Sequence, residues 1–412
     1  MHTIRTRACA GLLLCLVVAV CCATIPATFV QPAQATTQVP DRAVAASSAS
    51  EELAPPRLSC KAAILIDQET GRILCSHNAN ARLPMASTTK IMTALLVLET
   101  MDLSDQVTIS SNAVSTIGSK SRLRAGEVLT VEQLLYALLV VSGNDASIAL
   151  AEAAAGSVQA FVEKMNARAE ELGLSNTHFV NPCGLNNKKH FSSAKDLATL
   201  AQHALDDPVF ARIVDTIYFS LPPLEEDTPG SEDNLRDFDN QNELLHRLAW
   251  VSGVKTGSTP YAKYCLVASG HMEGISLVAV VLGAEESEIR WEEARSLLEY
   301  GFSLYPRTLL VDKGEVVAEL DVSDVFGRRA RLVTAAPVVA RLAKDDVAVG
   351  TVSLERPMVV PVRVGENFGR MEFTCAAGSL GSVDLIAAQP IEKPTVRLML
   401  DRWEHLRPAM LR

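Results

Sequence analysis

Two groups of apolar strands at opposite ends of a helical block constrain this fold more than any other feature of the chain. Near residue 62, "AAILIDQETGRILC" reads as a hairpin, with an apolar strand at 62–66, a turn around 69–71 and a second short strand at 72–75. Much later, "WVSGVKTG" is strand-like, and "KYCLVASGHMEGISLVAVVLGA" gives two apolar strands joined by a turn at 271–274. Between the two groups the patterning is helical, in "STTKIMTALLVLET", "TVEQLLYALLVVS", "DASIALAEAAAG", "VQAFVEKMNARAEELG" and "HFSSAKDLATLAQHAL". The fourth of these ends at Gly173, as helices often do. A further helix, "IRWEEARSLLEYGFSLY", closes the segment near Tyr305. Strands on both sides of a helical block predict an α+β domain over 58–305, its antiparallel sheet assembled from both ends of the segment and its site at the sheet edge.

With 412 residues the chain is too long for one hydrophobic core. Over 306–390, Val-rich segments such as "EVVAEL" and "GTVSLERPMVVPVRV" alternate with turn residues and predict a separate small all-β domain. The tail 391–412 places Val396, Met399, Leu400, Trp403, Leu406 and Met410 on one helical face, with Arg397, Arg402, Arg407 and Arg412 elsewhere. Such an amphipathic helix can lie on a membrane surface or dock on the β domain, and Pro408 interrupts it in either case. At the other end Arg5 and Arg7 precede an apolar run over 8–23 and then Ala33-Gln34-Ala35, so 1–35 reads as a secretory signal peptide. The run is short for a membrane span, which disfavours an uncleaved anchor. The Ala-, Ser- and Pro-rich stretch 36–57 reads as a flexible linker. An exported protein follows.

The formal net charge of −10 argues against a nucleic-acid partner, which would need a basic face. Four of the nine cysteines (Cys9, Cys15, Cys21, Cys22) lie in the leader. Cys60, Cys75, Cys183, Cys265 and Cys375 remain, an odd number with no Cys/His cluster at zinc-ligand spacing. Isolated thiols are expected, and neither a metal nor a cofactor.

In "MASTTKIMTALL" a lysine stands where a helix start favours a carboxylate. Ser87 is a natural cap for the apolar run that follows, and Lys90, three residues on, shares its helix face. The helix N-terminus and burial both disfavour the ammonium, which lowers the Lys90 pKa toward neutrality. A neutral amine beside a hydroxyl makes an activated nucleophile. Ser-x-x-Lys recurs at Ser192–Lys195, where a capped helix is the better account, and Ser-x-Asn occurs at Ser110 as well as at Ser142-Gly143-Asn144. Order decides between them. Ser142 and Asn144 follow the apolar run "LLYALLVV", where a turn can aim them into a cleft, and Lys255-Thr256-Gly257 follows "WVSGV". Gly257 lets a substrate backbone approach that strand closely.

Ser-x-x-Lys, Ser-x-Asn and Lys-Thr-Gly in this order resemble the serine-type D-alanyl-D-alanine carboxypeptidases, the low-molecular-weight penicillin-binding proteins. "IDQETGRILCSHNANARLPMASTTKIMTALL", "LRAGEVLTVEQLLYALLVVSGNDASIALAE" and "VSGVKTGSTPYAKYCLVASG" are similar to that family beyond the triplets. The chain departs from it at Met85, where proline is common, and at Cys183, where histidine is frequent. The resemblance implies a β-lactamase/transpeptidase-like fold, action on a peptidoglycan stem peptide at the outer face of the cytoplasmic membrane or in the cell-wall space, and inhibition by β-lactams. It also implies roles: Ser87 as nucleophile, Lys90 as base, Ser142 as proton relay, Asn144 on the substrate amide, Lys255 and Thr256 on the terminal carboxylate. The Ser87 and Ser258 amides would form the oxyanion hole. A class A β-lactamase shares the triplets but adds a deacylating glutamate, and no Glu-x-x-Leu-Asn pattern lies between Ser142 and Lys255. A non-catalytic peptidoglycan-binding module is the other alternative.

Overall fold

The computed structural model describes residues 41–45, 54–222, 236–322, 328–343, 345–376, 378–393 and 395. The expected signal peptide and the expected amphipathic tail from 396 onward lie outside them. A five-stranded antiparallel sheet runs in the order Ile73–His77, Ala62–Asp67, Ile275–Ala284, Lys263–Met272, Val251–Thr259. It is built from both ends of the segment, as the strand patterns predict. Its central strands are apolar throughout because both faces are covered. Successive side chains point to opposite faces, so Ala62, Ile64 and Ile66 join the core shared with the helical block. Ala63 and Leu65 instead meet Leu297 and Leu298 of the helix Ser287–Ser303.

The helix Lys90–Thr100 is the axis of the helical block, buried from Lys90 to Val97. It packs among Val131–Leu139, Asn144–Ala155, Val158–Glu171 and Ala194–Leu205. A fully buried Ile91 or Leu134 contributes on the order of 1.5–3 kcal/mol each over an exposed one, so this surrounding core holds the start of the helix rigidly. The helix does not choose its end by propensity alone, and that end carries the site.

Five strands beyond residue 306 and one from near the start of the chain form a six-stranded antiparallel sheet in the order Arg42–Ala45, Val347–Leu354, Asn367–Cys375, Gly378–Ala387, Arg329–Thr334, Val316–Asp321. A core including Leu310, Leu332, Phe368, Phe373 and Leu385 lies against it. The stretch expected to be all linker contributes the edge strand Arg42–Ala45, paired with Val347–Leu354, with Val44 against that core and Arg42 ion-paired to Glu315. Four residues carry too little periodicity to announce a strand; the open edge of the partner supplies the hydrogen bonds. Cys60, Cys75, Cys183, Cys265 and Cys375 are free thiols. Among the described residues no helix is long and apolar enough to cross a membrane.

Candidate active site

Ser87 lies in a 3-10 turn, Ala86–Thr89, that runs straight into the helix beginning at Lys90. The expected capping role is corrected: no side chain caps the turn or the helix. The Ser87 hydroxyl instead accepts a hydrogen bond from Lys90 Nζ at 3.0 Å. Thr88 and Thr89 tie the turn to itself, their hydroxyls donating to the Met85 and Ala86 carbonyls at 2.8 Å each.

Lys90 is wholly buried, and Nζ also donates to Asn144 Oδ1 at 2.8 Å and to the Cys183 carbonyl at 2.9 Å. Both of these partners can only accept, because Asn144 Nδ2 is committed to the Ile117 carbonyl at 2.6 Å. When Lys90 loses a proton its two remaining N–H groups stay with the two carbonyls, and the lone pair faces the Ser87 hydroxyl. Burial draws the Lys90 pKa down to about 8, with Asp145 among the groups that resist. The amine is therefore near its working range at neutral pH and already aimed.

Each partner is placed by a local device. Asn181 Oδ1 accepts from the amides of Cys183, Gly184 and Leu185 at 3.1, 2.8 and 3.0 Å, which folds the turn that points the Cys183 carbonyl at Lys90. Ser142 has φ 65 between the helices Val131–Leu139 and Asn144–Ala155 and is buried. A Cβ on Gly143 would stand 2.0 Å from Ser121 Oγ, so the triplet needs glycine at its centre. Asp145 receives the Ser121 amide on both carboxylate oxygens at 2.9 Å and holds the facing loop.

Lys255, Thr256 and Gly257 lie on the edge strand Val251–Thr259, which packs against the Ser87 turn. A Cβ on Gly257 would meet the Met85 carbonyl at 2.8 Å and the Ser87 amide nitrogen at 3.0 Å. The approach expected of a substrate backbone at Gly257 is made instead by the protein's own Ser87 turn. Lys255 and Thr256 are buried and Ser258 is exposed. Burial, and then the charges of Lys90 and Arg290, push the Lys255 pKa well below its ordinary value. Asn144 was expected on the substrate amide; both ends of its side chain are engaged within the protein, one of them on Lys90.

Arg290 escapes sequence reasoning. Carried by Ser287–Ser303, it reaches the Gly257 carbonyl at 3.5 Å, stacks 4.0 Å from the Trp291 ring centroid, and buries an Nε without a hydrogen-bond partner. Its backing of Lys-Thr-Gly exists only once helix and strand are packed together. The decoy motifs prove local: Ser110 caps Ser111–Ser115, and Ser193, not Ser192, caps Ala194–Leu205.

Residues 48–286 match the family model of the D-alanyl-D-alanine carboxypeptidases, peptidase family S11. The chain belongs to this family. It is a serine-type carboxypeptidase. D-alanyl-D-alanine carboxypeptidase DacF of Bacillus subtilis is 37% identical over 320 residues, spanning 76% of this chain and 80% of that one. DacC of Escherichia coli is 30% identical over 372 residues, or 84% and 88%. Among solved structures, DacD of Francisella tularensis aligns with TM-score 0.58 and 26% identity, covering 84% of this chain and 97% of that one. The Streptomyces K15 DD-transpeptidase aligns with TM-score 0.57 and 33% identity, covering 61% and 100%.

Proposed function

We propose that this carboxypeptidase removes the terminal D-alanine of peptidoglycan stem pentapeptides through an acyl-enzyme on Ser87. The observation that carries the reading is the three-acceptor cage around Lys90, which leaves its lone pair only the Ser87 hydroxyl to face. Ser87 Oγ passes its proton to Lys90 Nζ and bonds to the carbonyl carbon between the two D-alanines. The C–N bond then breaks, and the leaving amine takes a proton through Ser142. Water next attacks the ester, gives the shortened peptide its carboxylate and returns the proton to Ser87. The Ser87 and Ser258 amides face the developing oxyanion. Asn144 holds Lys90 in place during both halves of the cycle.

Lys255 and Thr256 receive the terminal carboxylate, with Arg290 backing their strand at the Gly257 carbonyl. Within the protein Lys255 is starved of counter-charge, since burial and two neighbouring cations all oppose its ammonium. A substrate carboxylate supplies the missing charge and keeps Lys255 protonated.

Incubation with a D-Ala-D-Ala pentapeptide is expected to yield tetrapeptide and free D-alanine. Fluorescent penicillin is expected to form a persistent adduct that maps to Ser87 and vanishes in Ser87→Ala. Rapid penicillin turnover without an adduct would favour the β-lactamase alternative, and binding of stem peptide without D-alanine release would favour the non-catalytic module.

The protein is exported, its 306–390 segment forming a small β domain and its tail, beyond an Ile391 that is buried in that domain and paired with Val362, lying on the outer face of the cytoplasmic membrane. The separate apolar core and the sheet beyond residue 306 support the domain division. The apolar stripe with Trp403 supports the membrane contact. Deleting 395–412 is expected to abolish binding to anionic vesicles; undiminished binding would place the tail on the β domain instead.

A further inference from the structure

Ala86, immediately before the nucleophile, has φ 50, a left-handed conformation that L-residues with a Cβ avoid. The mechanism leaves unexplained what holds it there. One restraint is steric: a Cβ on Gly184 would stand 1.9 Å from the Ala86 carbonyl oxygen, so that glycine (φ 91) lets the turn seat. The other is a hydrogen-bonded chain. The Val180 amide donates to His190 Nδ1 at 3.0 Å, which makes Nδ1 the acceptor and places the imidazole hydrogen on Nε2. Nε2 lies 2.7 Å from Thr89 Oγ1, which therefore accepts, and the Thr89 hydroxyl has its own hydrogen for the Ala86 carbonyl at 2.8 Å. Every donor in the chain has one direction. His190, Thr89 and Ala86 are all buried, so water does not compete for these groups.

The Ala86 carbonyl and the Ser87 N–H belong to one planar trans peptide and point in opposite directions. Fixing the carbonyl fixes the amide. We propose that His190 is a positioning residue which, through Thr89, locks the Ala86–Ser87 peptide so that the Ser87 amide is preset toward the oxyanion. This deepens the proposed mechanism and rests on Ser87 being the nucleophile. His190 touches no reacting atom, and its contribution falls on turnover, because the aim of the amide matters where charge develops.

Substitutions separate the two ends of the imidazole. His190→Gln keeps a donor toward Thr89 and gives up the acceptor for Val180; His190→Asn keeps the acceptor and cannot reach Thr89. Thr89→Val removes the hydroxyl, and Thr89→Ser restores it. Measured by D-alanine release from a D-Ala-D-Ala peptide, His190→Asn and Thr89→Val should lower kcat about tenfold or more with KM unchanged. His190→Gln and Thr89→Ser should stay within about twofold of the wild type. Combined, Thr89→Val and His190→Asn should be no slower than Thr89→Val alone, since one chain is cut twice. Melting temperatures, measured in parallel, should not follow the rates. A His190→Asn enzyme with wild-type kcat, rates that track melting temperature across the set, or additive defects would each overturn the proposal. A wild-type protein that forms no penicillin adduct at Ser87 would instead overturn the underlying mechanism, which keeps the two failures distinguishable.

Discussion

Titrating the acylation rate between pH 6 and pH 9 tests the base directly. Only the neutral amine of Lys90 can take the Ser87 proton, and burial sets its pKa at about 8. The neutral fraction is then about 1% at pH 6, about 10% at pH 7 and one half at pH 8. The second-order rate constant for labelling by a fluorescent penicillin should therefore rise roughly tenfold per pH unit at first and bend over near pH 8. The carboxylate of the reagent stays ionised throughout, so it adds no slope of its own. An exposed lysine with the ordinary value near 10.4 would still be climbing at pH 9, where only about 4% is neutral. The position of the bend thus separates the caged amine from an ordinary one. Lys90→Arg, always protonated, should label at least about a hundredfold more slowly than wild type at pH 8 and show no bend. A rate that is flat from pH 6 to pH 8, or a Lys90→Arg enzyme that labels normally, would refute the assignment.

Three more outcomes follow from the same geometry. Arg290→Leu should lower the labelling rate about tenfold for a penicillin with a free carboxylate and leave its methyl ester unchanged, because the guanidinium acts on the anion through the Lys-Thr-Gly strand. Gly257→Ala should keep the fold but displace the Ser87 turn, whose carbonyl and amide lie 2.8 and 3.0 Å from the new Cβ, lowering labelling roughly a hundredfold. For His190, burial and then the charge of His178 lower the pKa to about 4. The neutral form is favoured in the fold, so full stability holds above about pH 6.5 and falls as the pH drops toward 4. The loss is about 3 kcal/mol by linkage, readable in urea titrations, and should shrink in His190→Gln.

The Ser87–Lys90 pairing was legible because order and context set this Ser-x-x-Lys apart from the one at Ser192, and the structure brings the two side chains within 3.0 Å. The sheet was legible because strands buried on both faces leave unbroken apolar runs such as 275–284. Arg290 and His190 were not legible, since each acts on a partner far away in sequence and no local pattern distinguishes a buried arginine or histidine from an exposed one. Gly257 was half legible. Sequence shows that something must come close to it, and only packing shows that the Ser87 turn does. The edge strand Arg42–Ala45 was hidden for another reason: its hydrogen-bond partner, Val347–Leu354, lies at the far end of the chain.

Lys90, a cation at the positive end of a helix, is one instance of a wider imbalance in the site. Lys90, Lys255 and Arg290 are all buried, and burial is the largest cause lowering each of their pKa values. Asp145, the nearby carboxylate, is occupied with the Ser121 amide and does not hydrogen-bond to the Lys90 ammonium. For Lys90 alone the shift from 10.5 to about 8 corresponds to about 3 kcal/mol of folding stability withheld at neutral pH. A helix start built for stability would carry a carboxylate there, with the gain of about 0.3–1 kcal/mol that the helix dipole offers. An anionic peptide terminus at Lys255 would supply counter-charge there, so a peptide end with its carboxylate blocked should bind weakly and, because the Lys90 cage is complete without it, still acylate Ser87 once bound.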